Sequence, residues 1–152
     1  MNRREMLFTS GGAIVALGAG DNANSAESQS VEAAKAVIRD HESKGHVGNI
    51  DEIVTNMSEE IVLFAPGSEL VQGIESFRNF YQSILDMGVQ EFRHDYSGHD
   101  VQGEAVILYG VARGTLTAPD SDPAPFANNF LIVLRPEHGR YKIWRAAFAP
   151  NA

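Results

Sequence analysis

The chain has no cysteine, and its acidic residues outnumber its basic ones. Without cysteine it can form no disulfide, thiol nucleophile or thiolate metal site. Its 12 Lys and Arg face 20 Asp and Glu, which gives a formal net charge of −8. A uniformly acidic surface repels a phosphate backbone, so nucleic acid is not an expected partner. The 152 residues, 43% of them hydrophobic, suit one globular domain with a core of its own.

The first 26 residues are typical of an export signal. Arg3 and Arg4 precede a Gly- and Ala-rich apolar run that carries no charge before Asp21. The run is too short for a membrane-spanning helix, which needs about 20 apolar residues, so no stable membrane anchor is expected. A charged start, a short apolar segment and small residues form a signal peptide, and the paired arginines resemble a twin-arginine motif.

This pattern predicts a signal over residues 1–26, a single domain over 27–152, and a periplasmic or secreted protein. Cleavage has two candidate triplets, Ala23-Asn24-Ser25 and Asn24-Ser25-Ala26. The alternative is an unstructured start with a chance arginine pair, which would leave the protein in the cytoplasm. Removing residues 1–26 takes away two charges of each sign, so the domain itself carries the net charge of −8.

The rest of the chain changes from a helical to an extended period. Ser30 can cap a first helix that ends near Gly45, and Asn49 with Glu52 can cap a second one. A third helix follows Gly73 and ends at Gly88. Strands are predicted at 61–64, around 92–96, and over 104–117, 126–134 and 141–148, with a bend at Ser97-Gly98 and a hairpin turn at 136–139. This order predicts an α+β fold with a mostly antiparallel sheet.

That order, with certain short segments, resembles the nuclear transport factor 2-like superfamily, in its SnoaL-like and ketosteroid-isomerase-like branch. The segments are Ile61–Phe64, Ala65-Pro-Gly-Ser-Glu69, Phe77-Arg-Asn-Phe-Tyr81 and 139–148. The resemblance implies a cone-shaped curved sheet wrapped by three helices, of the cystatin-like type, with an apolar pocket at its open end. It also implies a homodimer through the outer face of the sheet.

The resemblance does not carry the chemistry of ketosteroid isomerase. That mechanism uses a carboxylate base and two hydrogen-bond donors, a Tyr and a protonated carboxyl group. The matching positions here are Ala65, Ile38 and Leu131, which are all apolar. Steroid isomerisation by that route is therefore not expected, and any site must be argued from other residues.

Alternation along strands predicts which side chains face the pocket. By family likeness, the inward set is Phe92, His94, Tyr96, Tyr109, Val111, Arg113, Asn129, Leu131, Val133, Trp144, Ala146 and Phe148. In this set His94 is the candidate general base, because its ordinary pKa lies near neutrality, and Tyr109 is a candidate donor. The candidate ligand-binding residues are Arg113, Asn129, Trp144, Phe148 and Phe92. Structural roles remain open for each, such as a salt bridge for Arg113 or a buried hydrogen bond for His94.

Three functions stay open at this point. The first is an exported acid–base enzyme of the isomerase, cyclase or lyase type, acting on an apolar oxygenated ligand. The second is a binding protein without turnover, and the third is a dimeric interaction module. The expected ligand is a small hydrophobic molecule, and neither a metal nor a cofactor is expected, because the His-Asp pairs at 94–95 and 99–100 are placed to face apart.

Overall fold

The structure, a computed structural model, describes residues 19–151, so most of the predicted export signal lies outside the described residues. The helices are α1 (Ala19–Val47), α2 (Ile50–Ile53), which continues as a single 3-10 turn (Val54–Asn56), and α3 (Ile74–Asp86). The strands are β1 (Met57–Phe64), β2 (Val71–Gln72), β3 (Val89–Gln102), β4 (Ala105–Leu116), β5 (Ala124–Glu137) and β6 (Arg140–Pro150).

The six strands form one open sheet in the order β2-β1-β6-β5-β4-β3. All neighbours are antiparallel except β1 and β6, which run parallel. The helices cover one face: α1 packs on β3, β4 and β6, and α3 packs on β1. The predicted α+β class and the mostly antiparallel sheet wrapped by three helices are confirmed. Among the residues described, none of the helices combines the length and apolar character needed to cross a bilayer.

Helix α1 is longer at both ends than predicted. Nothing between Asp21 and Ser30 breaks a helix, so Ser30 lies inside α1 rather than at its cap. Residues 22–29 are exposed, and packing begins at Val31, which is buried with Ala34 and Ile38 on one face. The part of α1 that holds the fold therefore starts after the predicted signal.

Helix α2 begins as predicted and ends earlier. The Asn49 side chain accepts a hydrogen bond from the Glu52 backbone N–H at 3.3 Å, as expected of a cap. The helix stops at Ile53 because β1 already begins at Met57, where it pairs with Ile143 of β6. Sheet pairing thus overrides the helical pattern of 50–57.

The two-residue strand β2 was not predicted, since it is too short to show an alternation.

The predicted inward face is wrong for β4 and β5. On β4 the buried side chains are Val106, Leu108 and Ala112, so Tyr109, Val111 and Arg113 point outward. On β5 the inward set is Phe126, Asn128, Phe130, Ile132 and Leu134, so Asn129, Leu131 and Val133 point outward.

Small residues on the inner side of β4 explain this orientation. A Cβ on Gly114 would stand 2.7 Å from the Phe126 ring, and one on Gly110 would stand 2.0 Å from the Asp95 carbonyl oxygen. The Phe126 ring of β5 lies over Gly114, and the β3 backbone at Asp95 closes on Gly110, so neither position leaves room for a side chain. The residues of β4 with the larger and more polar side chains therefore point outward.

Two bulges change the direction of single side chains. The predicted bend at Ser97-Gly98 is a register shift between Tyr96 and Gly98 within a continuous β3. A second shift pairs Val133 with Arg145 and Leu134 with Ile143, which leaves Trp144 as the additional residue on β6. The alternation that would turn Trp144 inward is broken at that point.

Gly45 lies inside α1 because it makes room for Tyr81 of α3. A glycine in a helix interior costs about 1 kcal/mol relative to alanine. A Cβ at Gly45 would stand 2.6 Å from the Tyr81 hydroxyl oxygen but 3.9 Å from the ring carbon that bears it. Only the hydroxyl group therefore conflicts with a side chain at this position.

We predict opposite effects of Gly45→Ala in two backgrounds. In the natural chain the substitution lowers the free energy of unfolding by about 1–2 kcal/mol, because overpacking outweighs the gain in helix propensity. In a Tyr81→Phe chain it raises that free energy by up to about 1 kcal/mol. Urea unfolding of the four chains measures both changes, and equal effects in the two backgrounds would contradict this packing.

Candidate functional site

A cavity of about 530 Å³ lies between α1, α3 and the inner face of the sheet. Most of its wall is apolar, with residues from every layer: Met57, Ile61, Leu63, Phe77, Phe80, Ile84, Phe92, Phe126, Ile132, Ile143 and Phe148. A few polar side chains also line it: His41, Glu42, His46, Tyr81, Ser83, His94 and Asn128. A large apolar pocket with a few polar groups is the usual form of a small-molecule site.

Glu42 of α1 and His94 of β3 form a hydrogen-bonded pair in this wall. One carboxylate oxygen of Glu42 accepts from the His94 ring Nδ1 at 2.8 Å and from the His94 backbone N–H at 2.6 Å. Because the carboxylate accepts, Nδ1 carries the ring proton and Nε2 has a free lone pair. Within residues 19–151, Nε2 has no hydrogen-bond partner.

Aromatic rings enclose the His94 imidazole. The ring centres of Phe92 and Phe130 each lie 4.8 Å away in edge-to-face contact, and that of Phe148 lies at 6.2 Å. The His94 side chain is 1% exposed and that of Glu42 18%. A charge-assisted hydrogen bond is stronger in such a dry place than in water. Glu42 can therefore hold the ring orientation and stabilise a proton on His94.

His41 and Tyr81 are a second polar pair in the wall. Their rings meet edge to face with centres 5.6 Å apart. Burial, together with the charge of His94, lowers the pKa of His41 to about 4. Burial also raises the pKa of Tyr81 to about 12. Both side chains are therefore uncharged near neutral pH.

The structure brings three of the seven predicted site residues to the cavity. His94, Phe92 and Phe148 line it, as the inward parity of β3 and the end of β6 predicted. Their roles toward a ligand stay predictions.

The other four predicted site residues lie away from the cavity. Tyr109 and Asn129 are exposed on the outer face, where Tyr109 pairs with Leu131 across the sheet. Arg113 also points outward, and its Nε donates to Asp95 at 3.0 Å. Trp144 lies between the Arg135 and Arg145 guanidinium groups, at 4.5 and 4.0 Å from its ring centre. Tyr109, Asn129 and Arg113 lie outside because the inward faces of β4 and β5 are the reverse of those predicted. Trp144 lies outside because of the bulge on β6.

Glu42, His41, Tyr81 and Asn128 were not predicted as site residues. His41 follows the apolar helical stripe of Val37 and Ile38, which pointed to burial. Glu42 adjoins His41, but neighbouring helix residues do not share a face, so the helical period gave no signal for it. Asn128 adjoins the predicted Asn129, and the observed parity of β5 turns Asn128 inward instead.

The positions matched to the steroid isomerase groups hold no proton-transfer side chain. Ala65 lies in the cavity wall and Ile38 is buried. Leu131 points outward, and the inward neighbours on either side of it, Phe130 and Ile132, are also apolar. Of the cavity-lining residues that the structure describes, Glu42 is the one carboxylate, and it comes from α1.

We predict that His41 makes the fold less stable in mild acid. Its pKa is about 4 in the folded chain and 6.5 in the unfolded one, so between these values the unfolded state binds the additional proton. The free energy of unfolding therefore falls as the pH falls through this window, by up to about 3 kcal/mol. His41→Leu flattens the pH dependence, and His99→Gln, at an exposed histidine, does not. Urea unfolding at several pH values measures this, and equal slopes in all three chains would contradict it.

Comparison with known proteins shows the family of this chain. The SnoaL-like domain family matches residues 46–146, which is more than half of the chain. No protein of the curated set matches the sequence significantly.

Solved structures share the fold at low sequence identity. A ketosteroid isomerase-like protein from Erwinia carotovora atroseptica has a TM-score of 0.70 at 16% identity, over 80% of this chain and 95% of that one. A nuclear transport factor 2-like superfamily protein from Salmonella enterica serovar Typhimurium has a TM-score of 0.70 at 12% identity, over 83% and 94%. A nuclear transport factor 2-like protein with a cystatin-like fold from Novosphingobium aromaticivorans has 0.69 at 10% identity, over 91% and 92%.

Such identities show the fold alone, whereas the family match covers most of the cavity wall, with His41, Glu42 and Phe148 outside the matched residues. The open six-stranded sheet, the helices on its inner face and the apolar cavity agree with that match. The chain therefore belongs to the SnoaL-like family, with a nuclear transport factor 2-like fold.

Proposed function

We propose that the protein is an acid–base enzyme of the isomerase, cyclase or lyase type, acting on a small apolar molecule that carries oxygen. The observation that carries this is the Glu42–His94 pair in the wall of an apolar cavity. The His94 Nε2 is buried and has no hydrogen-bond partner among the described residues, so a ligand reaches it when one of the enclosing rings moves. The family supports a small-molecule site of this kind. The ligand and the proton transfer are our inference from the geometry.

His94 would be the group that moves the proton. Its Nε2 takes a proton from an acidic C–H or O–H bond of the ligand, and the Glu42 carboxylate stabilises the imidazolium that forms. In an isomerisation the same proton returns to another atom of the ligand. In a lyase reaction it leaves with a hydroxyl group as water. The apolar wall keeps bulk water from competing for the proton.

We predict that the cavity accelerates a simple base-catalysed reaction through His94. Nitrobenzisoxazole is uncharged and aromatic; removal of its ring C–H proton by a base cleaves the N–O bond and leaves a cyanophenolate. We expect His94→Gln to lower kcat/KM at least about 100-fold, since positioned bases contribute roughly 10²–10⁴-fold. Glu42→Gln should lower it by about 10-fold or more, because it loses the charge that stabilises the imidazolium.

The matched control is His99→Gln, which alters an exposed histidine on the same strand. Its kcat/KM should equal that of the natural chain. Equal rates for the natural chain and His94→Gln would contradict the proposal. Binding of the probe without acceleration over buffer would also contradict it, and would favour a binding protein without turnover.

The outer face of the sheet supports a homodimer. Phe64, Ala147, Leu131 and Tyr109 are register partners from β1 to β4, so they form one row across four strands. Phe64 is 57%, Leu131 46% and Tyr109 37% exposed. An exposed apolar patch of this kind is typical of an interaction surface.

A second copy of the chain is the partner that the charges favour. Charged groups beside the row are paired, Arg113 with Asp95 and Arg135 with Glu60. Two copies can therefore approach through this face although each carries a net charge of −8. A two-fold axis across the row would match each row with itself.

We predict that Leu131→Lys converts the dimer to a monomer, since it places two like charges in a dry contact. Sedimentation velocity measures the change in mass. Ser43→Lys, on the exposed side of α1, adds the same charge away from the sheet and should remain dimeric. A natural chain that sediments as a monomer would exclude this interface.

The exposed start of α1 supports export with signal cleavage. Cleavage after Ser25 or Ala26 would remove no side chain that is buried among those the structure describes, because residues 22–29 are exposed. The packed part of α1 begins at Val31. A mature chain that starts at residue 26 or 27 would keep the whole core described above.

A further inference from the structure

The cavity holds a polar pair that the proton transfer at His94 does not use. His41 is 8% exposed, and its Nδ1 has no hydrogen-bond partner within the described part of the chain. Tyr81 stands against it edge to face, and both side chains line the cavity. Nδ1 itself is sealed from the cavity, so the cavity side of the ring, which carries Nε2, is the part that a ligand oxygen can meet.

Gly45 makes this pair possible. His41 and Gly45 are four residues apart on α1, so they lie on the same helix face, one turn from each other. Because Gly45 has no side chain, the Tyr81 hydroxyl can lie against the helix where a Cβ would stand 2.6 Å away. A glycine inside a helix lowers the stability of the helix. Here it makes room for the Tyr81 hydroxyl in the wall of the cavity.

The charges in the wall set the kind of ligand. No Lys or Arg is among the described residues that line the cavity. Its one carboxylate, Glu42, is already bonded to His94. His41 and Tyr81 are neutral near pH 7, since burial shifts the pKa of each away from that range. A charged ligand would lose its hydration without gaining an opposite charge.

We infer that His41 and Tyr81 form a second polar subsite, which binds one oxygen of an uncharged ring compound while a second oxygen lies at His94. The substrate class is then neutral apolar molecules with two hydrogen-bonding oxygens. This rests on the proposed function in taking His94 as the reactive group. His41 and Tyr81 bind and orient the ligand in this assignment.

The test compares four probes of one shape on the full chain by calorimetry at pH 7. Biphenyl has no oxygen, phenylphenol has one hydroxyl, biphenol has one at each end, and phenylbenzoate has a carboxylate. We expect biphenol to bind about tenfold more tightly than phenylphenol, since its second hydroxyl finds a partner. Phenylbenzoate should bind at least about tenfold more weakly than phenylphenol, because the cavity offers it no cation.

Two variants locate the second hydroxyl. His41→Leu should bring the biphenol-to-phenylphenol affinity ratio close to one, whereas His41→Gln, which restores a polar group near the Nε2 position, should keep most of it. Tyr81→Phe removes only a hydroxyl and should reduce the ratio without disturbing the fold. A purely structural role for these residues would change the affinities for both probes equally.

The outcomes separate this inference from the proposed function. An unchanged ratio in both His41→Leu and Tyr81→Phe overturns the second subsite, while His94-dependent conversion of nitrobenzisoxazole would still stand. Equal affinity of the natural chain for biphenol and phenylphenol also overturns the subsite. If none of the four probes binds, the subsite fails, and the nitrobenzisoxazole assay decides the proposed function separately.

Discussion

The free edge of β3 is closed by two side chains of α1, and the site depends on that contact. On this edge the His94 backbone N–H donates to Glu42, and the Phe92 carbonyl lies 3.3 Å from Nε2 of His46. Glu42 and His46 are four residues apart, so they reach the strand from adjacent turns of one helix face. They take the place of a neighbouring strand and satisfy backbone groups that an edge would leave open. The same contact orients the His94 ring.

The sheet and the helices contribute different kinds of side chain to the wall of the cavity. The sheet supplies rings and aliphatic side chains, with glycine and alanine on β4 leaving space for the rings beside them. The helices supply most polar groups: His41, Glu42 and Tyr81. The outer face then carries the exposed apolar row from Phe64 to Tyr109.

Local signals in the sequence predicted much of the fold. The Asn49 cap and the end of α3 depend on a few neighbouring residues, and the structure has both. The β5–β6 hairpin turns at His138-Gly139, where φ is positive at both residues, as a two-residue turn requires. His94 could be found because β3 alternates strictly from Phe92 to Tyr96. Glu42 could not, because its partner is 52 residues away and no local pattern links them.

The sequence by itself determined most element types, the family and, apart from the bulge on β6, the residues that share each strand face, since these follow from periods of 3.6 and 2 and from short-range caps and turns. Tertiary structure decided which face of β4 and β5 points inward. Both faces carry apolar residues, and the choice depends on the Phe126 ring lying over Gly114 and on the β3 backbone at Asp95 approaching Gly110. It also decided that Trp144 turns outward at a bulge and that Glu42 reaches His94. Contacts between segments that are distant in the sequence settle such choices. Side-chain volumes and hydrogen-bond partners are matched only where those segments pack together.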